Sequence, residues 1–258
     1  MKQAKKIEWD KLIEFALTVE GSMGNTYNRF YDYSFMNQIL LMWQGCFEPV
    51  ATYRRWADLD RQVKKGSKAK EIVMPRMITL TDEECRAKKL PKGSKQIIGF
   101  FPKNCIFSLS ETEGADLPEI DFPNWTLEQA EQGLKVERVK FDQLNGNIQG
   151  YSFERKYAIN PVADHSEKTT MHELAHIVLG HTSDTQKKDY ADHRGIKEFQ
   201  AEVTAFLVMK ELGQLSEKDN SESRAYIQHW LKGEKPDEKA IRGVFSAVNK
   251  ILKAGKGA

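Results

Sequence analysis

Apolar side chains recur at three- and four-residue spacing through Ile7, Trp9, Leu12, Ile13, Phe15 and Ala16. That is the period of one helix face, and it predicts an amphipathic helix over 7–20 stopped near Gly21 and Gly24. A second helical run covers 36–43 after Tyr33-Ser34 and ends at Gly45, and a short one covers 53–59. The apolar runs 72–75 and 96–101 read as strands joined by a Lys/Glu-rich excursion over 81–95, with 105–109 as a third strand. A stretch rich in Pro, Gly and acidic residues over 113–124 marks a domain boundary. Beyond it, Thr126 is an N-cap for a helix over 126–134. Residues 136–160 hold two or three strands around the Asn145-Gly146 turn. Helices are expected over 166–180, 194–212, 222–232 and 236–253. The fold class is therefore α+β, in two domains spanning 1–120 and 125–258.

Composition narrows this picture. The chain has 258 residues, 40% hydrophobic and 29% charged, with a mean hydropathy of −0.59. No apolar run approaches the length of a membrane span, and no apolar stretch follows the basic amino terminus as in a secretory signal, so no membrane partner is expected. The three scattered cysteines, Cys46, Cys85 and Cys105, suit a reducing cytoplasm rather than a disulfide framework. The net charge of +2 hides an uneven distribution. Residues 54–70 carry seven Lys or Arg against Asp58 and Asp60, a local +5, whereas all six histidines lie beyond residue 160.

The histidine-rich half contains His172-Glu173-Leu174-Ala175-His176. On a helix, positions i and i+4 share one face, so both imidazoles can grip one metal ion. Glu173 lies beside them as a general base for water on that ion. A third histidine ten residues after His172 is ruled out, because Thr182 stands there; His181, one position short and past the helix end, reads as a surface or capping residue. The segment Glu198-Phe199-Gln200-Ala201-Glu202 offers two carboxylates one turn apart. Glu198 is assigned as the third ligand and Glu202 as the group that orients a histidine, with the reversed assignment as the rival. Three protein ligands plus water is the open arrangement of a catalytic zinc site, so one Zn2+ is expected. Tyr190, His193, Tyr226 and His229 are all available as oxyanion donors.

The basic half interleaves aromatics and amides (Asn25, Tyr27, Asn28, Arg29, Phe30, Tyr31, Tyr33, Phe35, Asn37) with cations. Single-stranded nucleic acid is held by cations along its phosphates and by rings that stack on its bases. The expected contacts are Tyr33, Asn37, Arg54, Arg55, Trp56, Arg61, Lys64, Lys65 and Lys68, with 64–68 forming a phosphate-binding turn.

The ordered set of motifs resembles the ArdC-type antirestriction proteins. Four stretches carry it: Tyr33-Ser34-Phe35-Met36-Asn37; Trp56 to Val63-Lys64-Lys65-Gly66-Ser67-Lys68; Phe107-Ser108-Leu109-Ser110-Glu111; and His172 to His176 with Glu198 and Glu202. The last also resembles the ImmA/IrrE metallopeptidases. The resemblance implies a single-stranded-DNA-binding domain followed by a zincin-like metallopeptidase domain, in a protein of a plasmid, integrative element or phage that protects incoming DNA from restriction. Its partners would be single-stranded DNA and a protein or peptide substrate. Two alternatives use the same residues: a DNA-binding antirestriction protein whose zinc is not proteolytic, and an ImmA-like protease that cleaves a repressor.

Overall fold

A computed structural model of the chain describes residues 7–19, 33–117, 124–143, 147–183, 194–215, 221, 225, 227 and 236–256. Helix α1 (Trp9–Thr18) buries Leu12, Ile13, Ala16 and Leu17, the face its spacing predicts. Helix α2 (Phe35–Trp43) starts where Ser34 Oγ accepts from the Asn37 amide, and it is buried on nearly every side. Strand β1 (Val50–Thr52) leads into α3 (Tyr53–Ala57), then β2 (Arg61–Val63) and β3 (Lys70–Thr79). Helix α4 (Asp82–Ala87), opened by a Thr81–Glu84 capping box, fills the charged excursion. Strand β4 (Lys95–Ser108) and a 3-10 turn lead to β5 (Thr112–Gly114).

The sheet order is β1-β4-β3, antiparallel throughout, and β2 pairs with β5. The two strands expected over 96–101 and 105–109 are one 14-residue strand. Pro102, at the intervening break, sits in register opposite Val73 because its fixed φ suits extended backbone.

The second half begins with α5 (Leu127–Leu134), capped by Thr126 Oγ1 as expected. Strands β6 (Glu137–Arg138), β7 (Gly150–Phe153) and β8 (Lys156–Ile159) form a sheet of order β6-β8-β7, in which β7 is an edge. The β7–β8 hairpin turns at Glu154, whose φ is +49°. The Asn145-Gly146 turn, most of the helix expected over 222–232, the aromatic and amide residues 25–31, and Tyr190, His193, Tyr226 and His229 lie outside the described residues. Helix α6 (Ser166–Leu179) ends at Gly180, φ +81°, as the glycine predicts. It packs on α7 (Arg194–Glu211), and α8 (Glu238–Ala254) covers both.

The two halves share one buried apolar cluster. The Phe35 and Phe245 rings lie 6.0 Å apart, the Phe35 amide donates to Asn249 Oδ1 at 3.0 Å, and Lys210 Nζ donates to the Ala16 and Leu17 carbonyls at the end of α1. No described helix is long and apolar enough to cross a membrane.

Candidate metal centre

Helix α6 presents His172 and His176 one turn apart, and α7 lays Glu198 against them. The Nε2 atoms of the two histidines are 3.0 Å apart. Glu198 Oε2 lies 3.3 Å from Nε2 of His172 and 3.6 Å from Nε2 of His176. A tetrahedral zinc with bonds of about 2.0–2.1 Å needs ligand atoms about 3.3–3.4 Å apart. The three donors therefore fit a small divalent cation in both chemistry and spacing. Among the described residues they are the group of His, Cys, Asp and Glu atoms gathered closely enough to do so.

The rival carboxylate sits elsewhere. Glu202 Oε2 is 3.3 Å from Nδ1 of His172, on the far side of the ring, and its Oε1 is 3.0 Å from Lys168 Nζ. One turn of α7 thus separates the carboxylate that meets both Nε2 atoms from the carboxylate that orients a ring. Burial alone would lower the His172 pKa, but Glu198 and Glu202 as hydrogen-bond acceptors outweigh it and hold the imidazole up at about 9.

Glu173 is buried on the same helix, and Ser152 of β7 donates to its Oε2 at 2.6 Å. Gly150 makes this approach of strand to helix feasible, since a Cβ there would meet Thr169 Cγ2 at 2.7 Å. A cleft of about 440 Å³ opens over the group, lined by β7, the two histidines, Glu173, Glu198, His181 and Thr182.

His181 departs from its expected place on the surface. It is buried, and its Nδ1 lies 3.0 Å from Nδ1 of His176. The chain curls back at Gly180, and the His181 amide bonds to the His176 carbonyl, which brings the ring under α6. Burial first, and the adjoining His176 ring second, push its pKa down to about 4. Ser152 escaped notice in the sequence, and His181 was read as a surface or capping residue, because neither belongs to a ligand spacing. A glycine-terminated helix followed by histidine was the one signal for the second.

In the basic half, several expected contacts are corrected. Trp56 is fully buried, its indole N–H donating to the Phe107 carbonyl at 2.9 Å, and Tyr33 is buried in the core. Asn37 is taken up by the backbone of Val73. Arg61 reaches Thr112 and the Gly114 and Ala115 carbonyls, clamping β2 to β5. Trp56 and Asn37 thus serve the fold, whereas Tyr33, though buried, lines the groove beside it and Arg61 stays half-exposed. Arg54, Arg55, Lys65 and Lys68 are exposed. Lys64, also exposed, donates to the Ser110 carbonyl, and within the turn expected over 64–68 the Ser67 amide bonds to the Lys64 carbonyl, with Gly66 at φ +93°.

The open face lies beside them. A groove of about 750 Å³ runs across β3 and β4, lined by Tyr53, Arg54, Arg55, Met74, Lys103 and Phe107 among others. Tyr53 is 61% exposed and meets the Phe107 ring edge-on at 6.4 Å between centroids. Strand alternation brings Lys103 to this face, a signal that becomes readable only once β4 is recognised as a single strand.

Residues 3–105 match the family model for the N-terminal domain of anti-restriction factor ArdC, and residues 154–249 match the model for a zincin-like metallopeptidase. No curated protein matches the chain. Among solved structures, the metal-free crystal structure of the antirestriction ArdC protein from R388 plasmid is 18% identical, covering 97% of this chain and 96% of that one at a TM-score of 0.51. The Mn(II)-bound structure of the same protein is 19% identical over the same shares at a TM-score of 0.47. With an ArdC N-terminal domain followed by a zincin-like metallopeptidase domain, the chain belongs to the ArdC type of antirestriction protein.

Proposed function

We propose that this chain is a metal-dependent peptidase of the antirestriction class, carried by a mobile element or phage, acting in the cytoplasm and binding single-stranded DNA through its N-terminal half. The observation that carries the catalytic reading is the convergence of His172, His176 and Glu198 beside the carboxylate of Glu173, at the floor of one cleft. These three residues would hold one Zn2+. The ion supplies Lewis acidity when bound, acidifying a water and polarising a carbonyl oxygen.

The chain's own groups then have separable tasks. Glu173 accepts the proton of the attacking water and returns it to the departing amine. Ser152 holds Oε2 of that carboxylate, which orients Oε1 for the water. Glu202 fixes the His172 ring through Nδ1. Strand β7 pairs with β8 on one side only and lines the cleft. Its other edge offers backbone N–H and C=O groups to an extended peptide, which favours a protein or peptide substrate.

Support for the DNA reading comes from the groove of Tyr53, Arg54, Arg55, Lys103 and Phe107: rings for bases and cations for phosphates. Incubation of zinc-loaded protein with a peptide library, read by mass spectrometry, tests the catalytic half. Glu173→Gln should bind zinc as wild type does and cleave nothing. A variant that cleaves equally well would refute the mechanism. Full protection against restriction by Glu173→Gln would favour a non-proteolytic centre.

A further inference from the structure

We propose that Tyr151 and Phe153 of β7, with Phe141 beside them, form a shelf of rings that selects an extended substrate by apolar side chains at alternate positions; this rests on the peptidase reading and names the class of peptide. Strand β7 sends successive side chains to opposite faces. Ser152 points to α6, where it donates to Glu173 Oε2 at 2.6 Å. Gly150 lies on that same face, since a Cβ there would meet Thr169 Cγ2 of α6. Tyr151 and Phe153 therefore stand on the other face. Their rings stack with centroids 6.1 Å apart and planes at 23°, and the Phe141 ring lies 5.8 Å from that of Tyr151. Asp142 accepts from the Tyr151 hydroxyl and holds its ring in place. Phe153 is 40% exposed, and the apolar cluster shared by the two halves includes none of the three rings. The strip borders the cleft over the metal centre, whose lining includes both Tyr151 and Phe153.

The backbone of β7 alternates with the same period. The Gln149 carbonyl accepts from the Asn160 amide at the end of β8, so Gln149, Tyr151 and Phe153 turn their polar groups toward β8. Gly150 and Ser152 turn theirs to the open edge. Thr182 closes that edge beyond Phe153: its carbonyl accepts from the Glu154 amide at 3.0 Å, and its Oγ1 donates to the Glu154 carbonyl at 2.6 Å. A peptide strand laid on the open edge bonds to Gly150 and Ser152 and takes up their pleat. Its residues opposite Ser152 and Gly150 send side chains to the α6 face, where β7 offers a hydroxyl and no side chain at all. Those opposite Tyr151 and Phe153 send theirs across the rings. Directly opposed side chains on one face stand about 4.5–5.5 Å apart at Cβ, within reach of a ring. Selection by β7 therefore has a period of two: an apolar or aromatic side chain at every second residue of the substrate.

The test has a binding arm and a cleavage arm. In the first, the metal-free chain is titrated against labelled peptides and read by fluorescence anisotropy. One peptide alternates Phe and Ser; the other holds the same residues in two blocks. The alternating peptide should bind more tightly. Phe153→Ser should weaken it about 2- to 10-fold, the effect expected for losing one aromatic pair, and leave the block peptide unchanged, while Phe153→Trp should keep the preference. In the second arm, zinc-loaded wild type cleaves a randomised peptide library, and apolar residues should be enriched at alternate positions around the cut. This arm needs no variant, so it decides if Phe153→Ser fails to fold. Equal affinity for the two peptides would overturn the shelf, as would a folded Phe153→Ser that keeps the full preference. A wild type that prefers the alternating peptide yet cleaves nothing leaves the shelf standing and defeats the peptidase reading. One that cleaves peptides with no apolar period does the reverse.

Discussion

The side-chain amide of Asn37 closes the free edge of β3 at Val73: its Nδ2 donates to the Val73 carbonyl at 3.0 Å and its Oδ1 accepts from the Val73 amide at 2.9 Å. Gln44, two turns further along α2, repeats the arrangement at Glu71. The outward edge of β3 is thus satisfied by two side-chain amides in place of another strand. Asn37→Ala leaves both Val73 groups without partners and should destabilise the protein by about 2–4 kcal/mol, read from denaturant unfolding. The affinity of the folded fraction for single-stranded DNA should not change. A selective loss of DNA binding at full stability would return Asn37 to the interface.

DNA affinity should respond instead to the β3–β4 groove. Tyr53→Ala should cost about 1–3 kcal/mol of binding to a labelled oligonucleotide, as expected for the loss of one stacking ring. Arg54→Gln and Arg55→Gln should each flatten the salt dependence by about 0.7 in the log–log slope, the signature of one lost phosphate contact on a single strand. Fluorescence anisotropy across a salt series measures both. Equal affinity for duplex would count against stacking.

The two glutamates of α7 should separate cleanly. Glu198→Ala removes a donor that faces both Nε2 atoms and should abolish stoichiometric zinc uptake. Glu202→Gln leaves all three donors in place and should weaken uptake by about 10- to 100-fold. Equal effects would mean the carboxylates exchange roles.

Acid should compete with the metal through His172. Its imidazole, held at about 9 in the metal-free chain, must lose a proton before Nε2 can bind an ion, so uptake releases that proton. Zinc affinity should therefore fall as pH drops below 9, by about tenfold per pH unit for one proton. Metal-free stability runs the opposite way. A histidine whose pKa is raised above its unfolded value of about 6.5 contributes stability that is fully present below that value. This contribution is lost as pH climbs through 9. Calorimetric titration in buffers of differing ionisation heat measures the released proton, and melting of the metal-free protein across this range measures the second effect.

Much of the architecture followed from local pattern. The helices at 9–18, 35–43, 166–179 and 194–211 lie within a residue or two of the expected ones, because caps such as Ser34 and the Gly180 stop act within one turn of chain. Strand limits were less accessible. Pro102 looks like a break in isolation, and only its partner Val73 makes it part of a continuous ladder.

The pairing of His172 with His176, and the place of Glu173 beside them, needed nothing beyond helix geometry, since positions four apart share a face wherever the helix goes. The third donor was narrowed to two carboxylates for the same reason, with Glu198 assigned and Glu202 as its rival. Choosing between them required the rotation of α7 about its own axis against α6, which long-range packing sets. His181 is buried against His176 because a turn after Gly180 folds it beneath the helix. Trp56 and Asn37 lose their expected role because the sheet and α2 enclose them. Residue type records what a side chain can do; burial and neighbours, contributed by distant segments, decide whether it faces solvent, backbone or an ion.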